Sequence, residues 1–232
     1  MSLVKEISVF FPAYNEAENI TEVVRKALAV LEEIADNYEV LVINDGSLDN
    51  TVEVVTNLIK ENKSVKLITH RQNQGYGGAI KTGLYNSRYN LVAFNDGDGQ
   101  FDFSQIRGFL PKLSGADLVI GYRKKRSDPF FRLINAKLYS LFLSFLFGLR
   151  VRDVDCAFKL MKKEVIDALP NLESNGALIS AELLIRARKK GFRIAQVPVN
   201  HFPRTFGSPT GANLKVIVKM FGEVLKLYRD LK

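Results

Sequence analysis

Leu91-Val92-Ala93-Phe94-Asn95-Asp96-Gly97-Asp98-Gly99-Gln100 is the stretch from which the rest of the chain can be read. The run 90–94 has the length and apolar character of a buried strand. Two carboxylates and an amide follow where that strand would end. Gly97 lets the backbone bend so that Asp96 and Asp98 can face a single hard cation, and Gln100 offers a neutral oxygen beside them. A magnesium or manganese ion held by so few protein ligands keeps positions for water and for phosphate oxygens, as metals beside nucleotides do. The same residues, taken alone, also make an ordinary solvated turn. The neighbouring segments decide between the two.

Upstream, strand and helix alternate. The run 7–11 is apolar and compact, and Ile20, Val23, Val24, Ala27, Leu28, Leu31 and Ile34 follow at helical spacing. The stretch 40–43 predicts a second strand, and Val52, Val55, Leu58 and Ile59 mark one face of a helix over 49–61. The stretch 65–68 predicts a third strand, with a helix over 77–87 leading to 91–94. Strands separated by single helices form right-handed crossovers in a mostly parallel sheet.

Ligands of open α/β sheets bind outside the carboxyl ends of the strands. Polar loops stand at each of those ends: Pro12-Ala13-Tyr14-Asn15-Glu16, Asn44-Asp45-Gly46-Ser47, Arg71 to Gly78, and the double aspartate. Any one of them reads equally well as a helix cap or a turn. Four in a row at one edge point to a shared crevice.

These motifs, in this order, resemble family 2 nucleotide-sugar glycosyltransferases of GT-A type, and within them the polyprenyl-phosphate branch that includes dolichyl-phosphate mannose synthase. The resemblance runs from about Ile7 to Arg229. It implies a Rossmann-like, mostly parallel central sheet flanked by helices, with amphipathic C-terminal helices. Residues 1–210 form a single catalytic domain on this reading, including an interfacial helix over 129–149, and 211–232 form a basic amphipathic C-terminal helix. Pro12, Tyr14, Glu16, Asp45, Gly75, Lys81 and Asp96 are implied to bind a GDP- or UDP-linked sugar. Asp96, Asp98 and Gln100 are implied to hold Mg2+ or Mn2+ at its diphosphate, where a cation stabilises the charge left on the departing group.

The second half supplies an acceptor side. The stretch 117–121 predicts a fifth strand. Between Gly121 and Lys137 stand six basic residues and one acidic one, followed by an aromatic and aliphatic helical face from Phe130 to Phe147. Basic residues beside such a face suit a helix lying on a membrane surface; a core helix or a homodimer interface fits the same pattern. The resemblance places Arg123 and Arg132 near an acceptor phosphate, Asp155 in an acceptor loop, and Arg204 at the donor diphosphate on a loop able to close. Glu182, in the first turn of a predicted helix, reads as a carboxylate aimed into the crevice or as a charge near a helix amino terminus. The stretch 192–199 predicts a further strand. A basic amphipathic helix over 213–232 either packs on the core or meets the membrane.

The 232 residues carry a formal net charge of +8, which suits an anionic partner without naming it. Cys156 is the single cysteine, which excludes an intramolecular disulfide and a cysteine zinc site. The start of the chain lacks a signal-peptide core, and no stretch reaches the ~18 to 20 apolar residues of a membrane span. A cytoplasmic protein, peripheral on the cytoplasmic face of the membrane, is the expectation. A nucleic-acid module fits poorly, because the crevice carries carboxylates and the aromatics lie on helix faces.

The expected reaction is therefore transfer of one sugar, mannose or glucose, from a nucleotide sugar to a polyprenyl phosphate, with the inversion the resemblance implies. Asp98, Arg123, Arg132, Asp155, Glu182 and Arg204 are the catalytic candidates. A phosphate acceptor is largely ionised near neutrality and needs no base. A hydroxyl acceptor on a saccharide or protein would call on Asp155 or Glu182. A catalytically silent nucleotide-binding protein is a further alternative.

Overall fold

The computed structural model describes residues 2–124, 130–207 and 214–231, without the side chains of 130–137 and 214–221. Alternating apolar residues build its central sheet. In β1 (Val4–Ala13), Val9 and Phe11 point to one face and Phe10 to the other; in β2 (Ala35–Asn44), Val40 and Val42 oppose Leu41 and Ile43 in the same way. Strands apolar on both faces must be covered on both, which requires helices above and below. The remaining strands are β3 (Val65–Thr69), β4 (Leu91–Phe94), β5 (Leu118–Arg123), β6 (Lys159–Lys162) and β7 (Ile194–Val199).

Their order is β3-β2-β1-β4-β6-β5-β7. β6 runs antiparallel to both its neighbours; the other strands are mutually parallel. One face packs against α1 (Ile20–Ile34), α2 (Thr51–Glu61) and the 3-10 turns over 103–114, whose Phe103, Ile106 and Phe109 are fully buried. The other face packs against α3 (Tyr76–Asn86), α4 (Phe130–Phe147), α6 (Leu178–Lys189) and α7 (Leu214–Asp230), with the short α5 (Lys163–Asp167) following β6.

The first four strands and their helices stand where the periodicity predicts. β2 begins at Ala35, five residues before the predicted 40–43, because α1 ends at Ile34 and passes into Ala35 with no intervening turn. The strand β6 was not anticipated in the sequence; the acceptor-loop segment carrying Asp155 runs over 153–158 and β6 begins directly after it. Lys159 opens the strand yet is fully buried.

On α4, Tyr139 and Leu143 face the core, whereas Leu138 and Leu141 are 57% exposed and Phe145 is 87% exposed. α7 buries Val224 and Leu227 and sets Tyr228 edge-on to Phe147, so this part of its apolar stripe packs on the protein itself, while Leu225 is half exposed. No described helix is long and apolar enough to cross a membrane.

Candidate active site

The carboxyl ends of β1, β2 and β4 lie side by side, and the loops leaving them are stitched together. Asn15, in the left-handed region at φ 57°, donates its N–H to Ser47 Oγ and accepts from Leu48 N through its side chain, at 2.9 and 2.8 Å. Asn is among the few residues that adopt this conformation readily. Glu16 N donates to Thr51 Oγ1 at 3.0 Å, and Pro12 is buried while Tyr14 is exposed. The buried Asp45 ties β2 to the next loop. Its Oδ1 lies 2.7 Å from His70 Nδ1 and accepts from Gln74 N at 2.8 Å, while His70 Nε2 meets Thr82 Oγ1 at 2.9 Å. His70 was passed over in the sequence; only its place directly after β3 could have marked it.

Gly97 seats the double-aspartate loop against β1, since a Cβ there would stand 2.8 Å from the Pro12 carbonyl oxygen. Burial and the neighbouring Asp98 push the Asp96 carboxyl up to about 7, against the opposing pull of a Tyr76 hydrogen bond, Lys159 and Arg123. Tyr76, held far above its ordinary value by burial and Asp96, remains a phenol and donates. Asp98 Oδ1 accepts from Gln100 N at 3.1 Å. Its Oδ2 faces Arg204 Nη1 at 3.4 Å, and Arg204 Nη2 reaches Glu16 Oε1 at 2.5 Å. Asn19 holds the second Glu16 oxygen at 2.7 Å. Burial raises Glu16 as well, with Asn19 and Arg204 opposing.

Three carboxylates, Glu16, Asp96 and Asp98, thus share one crevice with a single arginine between two of them. Among the described residues no group of three His, Cys, Asp or Glu is arranged to hold a metal ion by itself. A divalent cation would rest on Asp96 and Asp98, with its other positions left to water and phosphate oxygens. The raised Asp96 fits this, because a cation relieves the repulsion that keeps its proton on.

The glycosyl transferase family 2 pattern matches residues 8–169, more than two thirds of the chain. The chain belongs to glycosyl transferase family 2. The fold is shared with solved structures of glucosyl-3-phosphoglycerate synthase from Mycobacterium tuberculosis. One, in complex with Mn2+, UDP and phosphoglyceric acid, is 19% identical at a TM-score of 0.76, over 97% of this chain and 78% of that one. Another, with Mg2+ and UDP, is 20% identical at 0.74, over 96% and 79%. A further mycobacterial protein is 21% identical at 0.71, over 96% and 73%.

The remaining residues singled out in this glycosyl transferase divide sharply. Glu182 does not point into the crevice. It is fully buried, accepts from the backbone N–H groups of Glu173 and Ser174 at 3.0 and 2.8 Å, and meets Arg186 Nε at 2.7 Å. Burial works to raise its pKa, but these hydrogen bonds outweigh it and the carboxyl is lowered. Its task is to hold the loop over 172–176. That loop in turn accounts for the glycines at the start of α3. At Gly75, with φ 82°, a Cβ would stand 2.6 Å from the Asn175 carbonyl oxygen, and at Gly77 2.5 Å from that of Ser174. Gly77 N also donates to Asn175 O at 2.8 Å. Gly75 is therefore required by the approach of another loop. Lys81, expected at the donor, gives its ammonium to Asn175 Oδ1 at 2.6 Å.

Arg123 is held by Asp153 through Nε to Oδ2 at 2.7 Å and Nη2 to Oδ1 at 2.9 Å. Its charge reaches the crevice already compensated. Asp155 is exposed on the adjoining loop. Gln100 turns its Nε2 to the Phe202 carbonyl oxygen at 3.1 Å, leaving only Oε1 to offer a cation, and thereby ties the loop carrying Arg204 to the aspartates. The side chain of Arg132 lies outside the described residues, as do Lys125 to Pro129 and the tail positions before 214.

Proposed function

We propose that this glycosyl transferase moves one sugar, with inversion, from a UDP- or GDP-linked donor to a polyprenyl phosphate, at the cytoplasmic face of a membrane and with Mg2+ or Mn2+. The observation that carries the reading is the exposed apolar line Leu138, Leu141 and Phe145 on α4. Their spacing of three and four residues puts them on one face of α4, which begins seven residues after Arg123 in the chain. An exposed apolar face beside a basic segment is what a reversible membrane contact needs. The metal part is supported by the paired aspartates and by the Mn2+ and Mg2+ in the complexes of the mycobacterial synthase.

Such a cation would supply compensation of the charge that develops on the leaving diphosphate. Arg204 lies beside Glu16 and Asp98, placed to turn its guanidinium to the same phosphates. Tyr76 keeps its proton on the phenol oxygen and holds the Asp96 carboxylate in place. The acceptor phosphate, a dianion for the most part near neutrality, attacks without a base. Glu182 being committed to the 172–176 loop, Asp155 is the one carboxylate left from the two read as bases for a hydroxyl acceptor.

A second reading, transfer to a small soluble phosphorylated acid, is favoured by the phosphoglyceric acid bound in the mycobacterial relative. Purified protein, manganese and a panel of nucleotide sugars should be offered a short polyprenyl phosphate, phosphoglycerate and simple saccharides, with products read by mass. A lipid-linked sugar that disappears with chelator, together with loss of vesicle binding in the triple variant L138S/L141S/F145S, is the expected result. Product on phosphoglycerate or a saccharide alone overturns the lipid acceptor.

A further inference from the structure

Lys159 stands inside the sheet, on β6, paired in register with Phe94 of β4 and Ile120 of β5. It is fully buried. Its ammonium donates to the Cys156 carbonyl oxygen at 2.5 Å, to Ser180 Oγ at 3.2 Å and to the Val154 carbonyl oxygen at 3.4 Å, and lies 5.3 Å from the centroid of the Phe94 ring. Asp155, Asp153 and Asp96 act on it through space. Burial pulls its pKa down.

A charged ammonium in that position is costly, and an apolar side chain of similar volume is commonly tolerated as well or better where stability alone is at stake. What the ammonium provides here is geometry. The segment 153–158 has no secondary structure of its own, yet it carries Asp153, which holds Arg123, and Asp155. Two of its carbonyl oxygens converge on Lys159, and a third contact fixes the ammonium to α6. The strand neighbour of Lys159, Phe94, is two residues before Asp96. One side chain therefore joins the strand that ends in the metal-binding pair to the loop on the acceptor side.

We propose that Lys159 is a positioning residue for transfer, clamping the 153–157 loop at a fixed distance from the double aspartate so that acceptor and donor are presented to each other. The placing of an acceptor on that loop rests on the function proposed above; the clamp itself does not. Removing the ammonium frees the loop while keeping the backbone frame of the donor crevice, built from β1, β2 and β4, which loses only a through-space charge acting on Asp96.

The test compares K159M and K159R with the wild-type chain in three measurements: hydrogen exchange over 153–158, affinity for the nucleoside diphosphate with manganese, and kcat and KM for the acceptor. K159M is expected to melt within a few degrees of wild type, to exchange at least about tenfold faster over 153–158 and to bind the nucleotide within about threefold of wild type, while acceptor kcat/KM falls about a hundredfold. K159R, which keeps the charge, should restore part of the protection and turnover. Unchanged exchange in K159M overturns the clamp. So does nucleotide affinity that falls in step with melting temperature, since a general loss of packing would then explain everything. Should the wild-type chain transfer to no lipid acceptor, the function above fails, and the exchange measurement still judges Lys159.

Discussion

Proton and metal compete for Asp96, and the competition has a size. With its carboxyl at about 7, Asp96 is ionised in about one molecule in ten at pH 6 and about nine in ten at pH 8. A divalent cation needs the ionised form, so its apparent affinity should rise about tenfold over those two units. The stability effect has a definite sign. The unfolded carboxyl titrates near ~3.9, so the folded, metal-free protein binds the extra proton between pH ~4 and ~7. Its stability therefore falls as pH rises through that window, and Glu16, also raised, acts in the same direction. Added manganese should reverse this and lift the melting temperature more at pH 8 than at pH 6. The assay is manganese binding by electron paramagnetic resonance, without nucleotide, whose phosphates titrate near ~6 themselves. Equal affinities at pH 6 and pH 8 would mean that Asp96 is ionised throughout, and the account of burial and repulsion at the site would be wrong.

Arg204 should have effects of opposite sign on two ligands. R204A removes the cation that faces Asp98, so free manganese should bind severalfold more tightly, while nucleotide-sugar turnover drops by about two orders of magnitude; a parallel loss of both would contradict the geometry. E182Q leaves Arg186 and the loop N–H groups without their carboxylate and should cost about 3–5 kcal/mol in denaturant unfolding, while kcat below the melting transition stays within a few-fold, because Glu182 is fully buried and turned to that loop. G77A forces a methyl group against the Ser174 carbonyl and should cost about 1–3 kcal/mol and weaken donor binding through α3; a neutral result would show that the 172–176 loop yields easily.

Much of the donor half was legible because it follows rules that act locally. Runs such as Val40 to Ile43 are apolar on both faces, helices follow them at fixed spacing, and the loops fall at the correct edge by topology alone. The acceptor half obeys longer-range constraints. β6 reads poorly because it is only four residues long and has a lysine at each end, and only partners from Val154, Cys156 and Ser180, two on one loop and one on α6, make the burial of Lys159 tolerable. Glu182 was misread for a related reason. Charge and a nearby helix start do not reveal that Glu173 and Ser174 approach with unpaired N–H groups. Gly75 and Gly77 stand in a glycine-rich loop after β3 whose reason the local sequence does not show: the carbonyl groups they accommodate come from a loop about a hundred residues later.

The lone antiparallel strand also governs the order in which the molecule can be built. β1 to β4 are complete by residue 94, but the outer edge of β4 pairs only with β6, which arrives at residue 159. β5 is made earlier and cannot join the sheet without it, since both its neighbours, β6 and β7, come later in the chain. During synthesis the growing protein therefore carries an open strand edge for some 65 residues, with the apolar α4 emerging in the interval. Closure is a single late event, in which one four-residue strand joins the two halves of the sheet and takes Lys159 out of water.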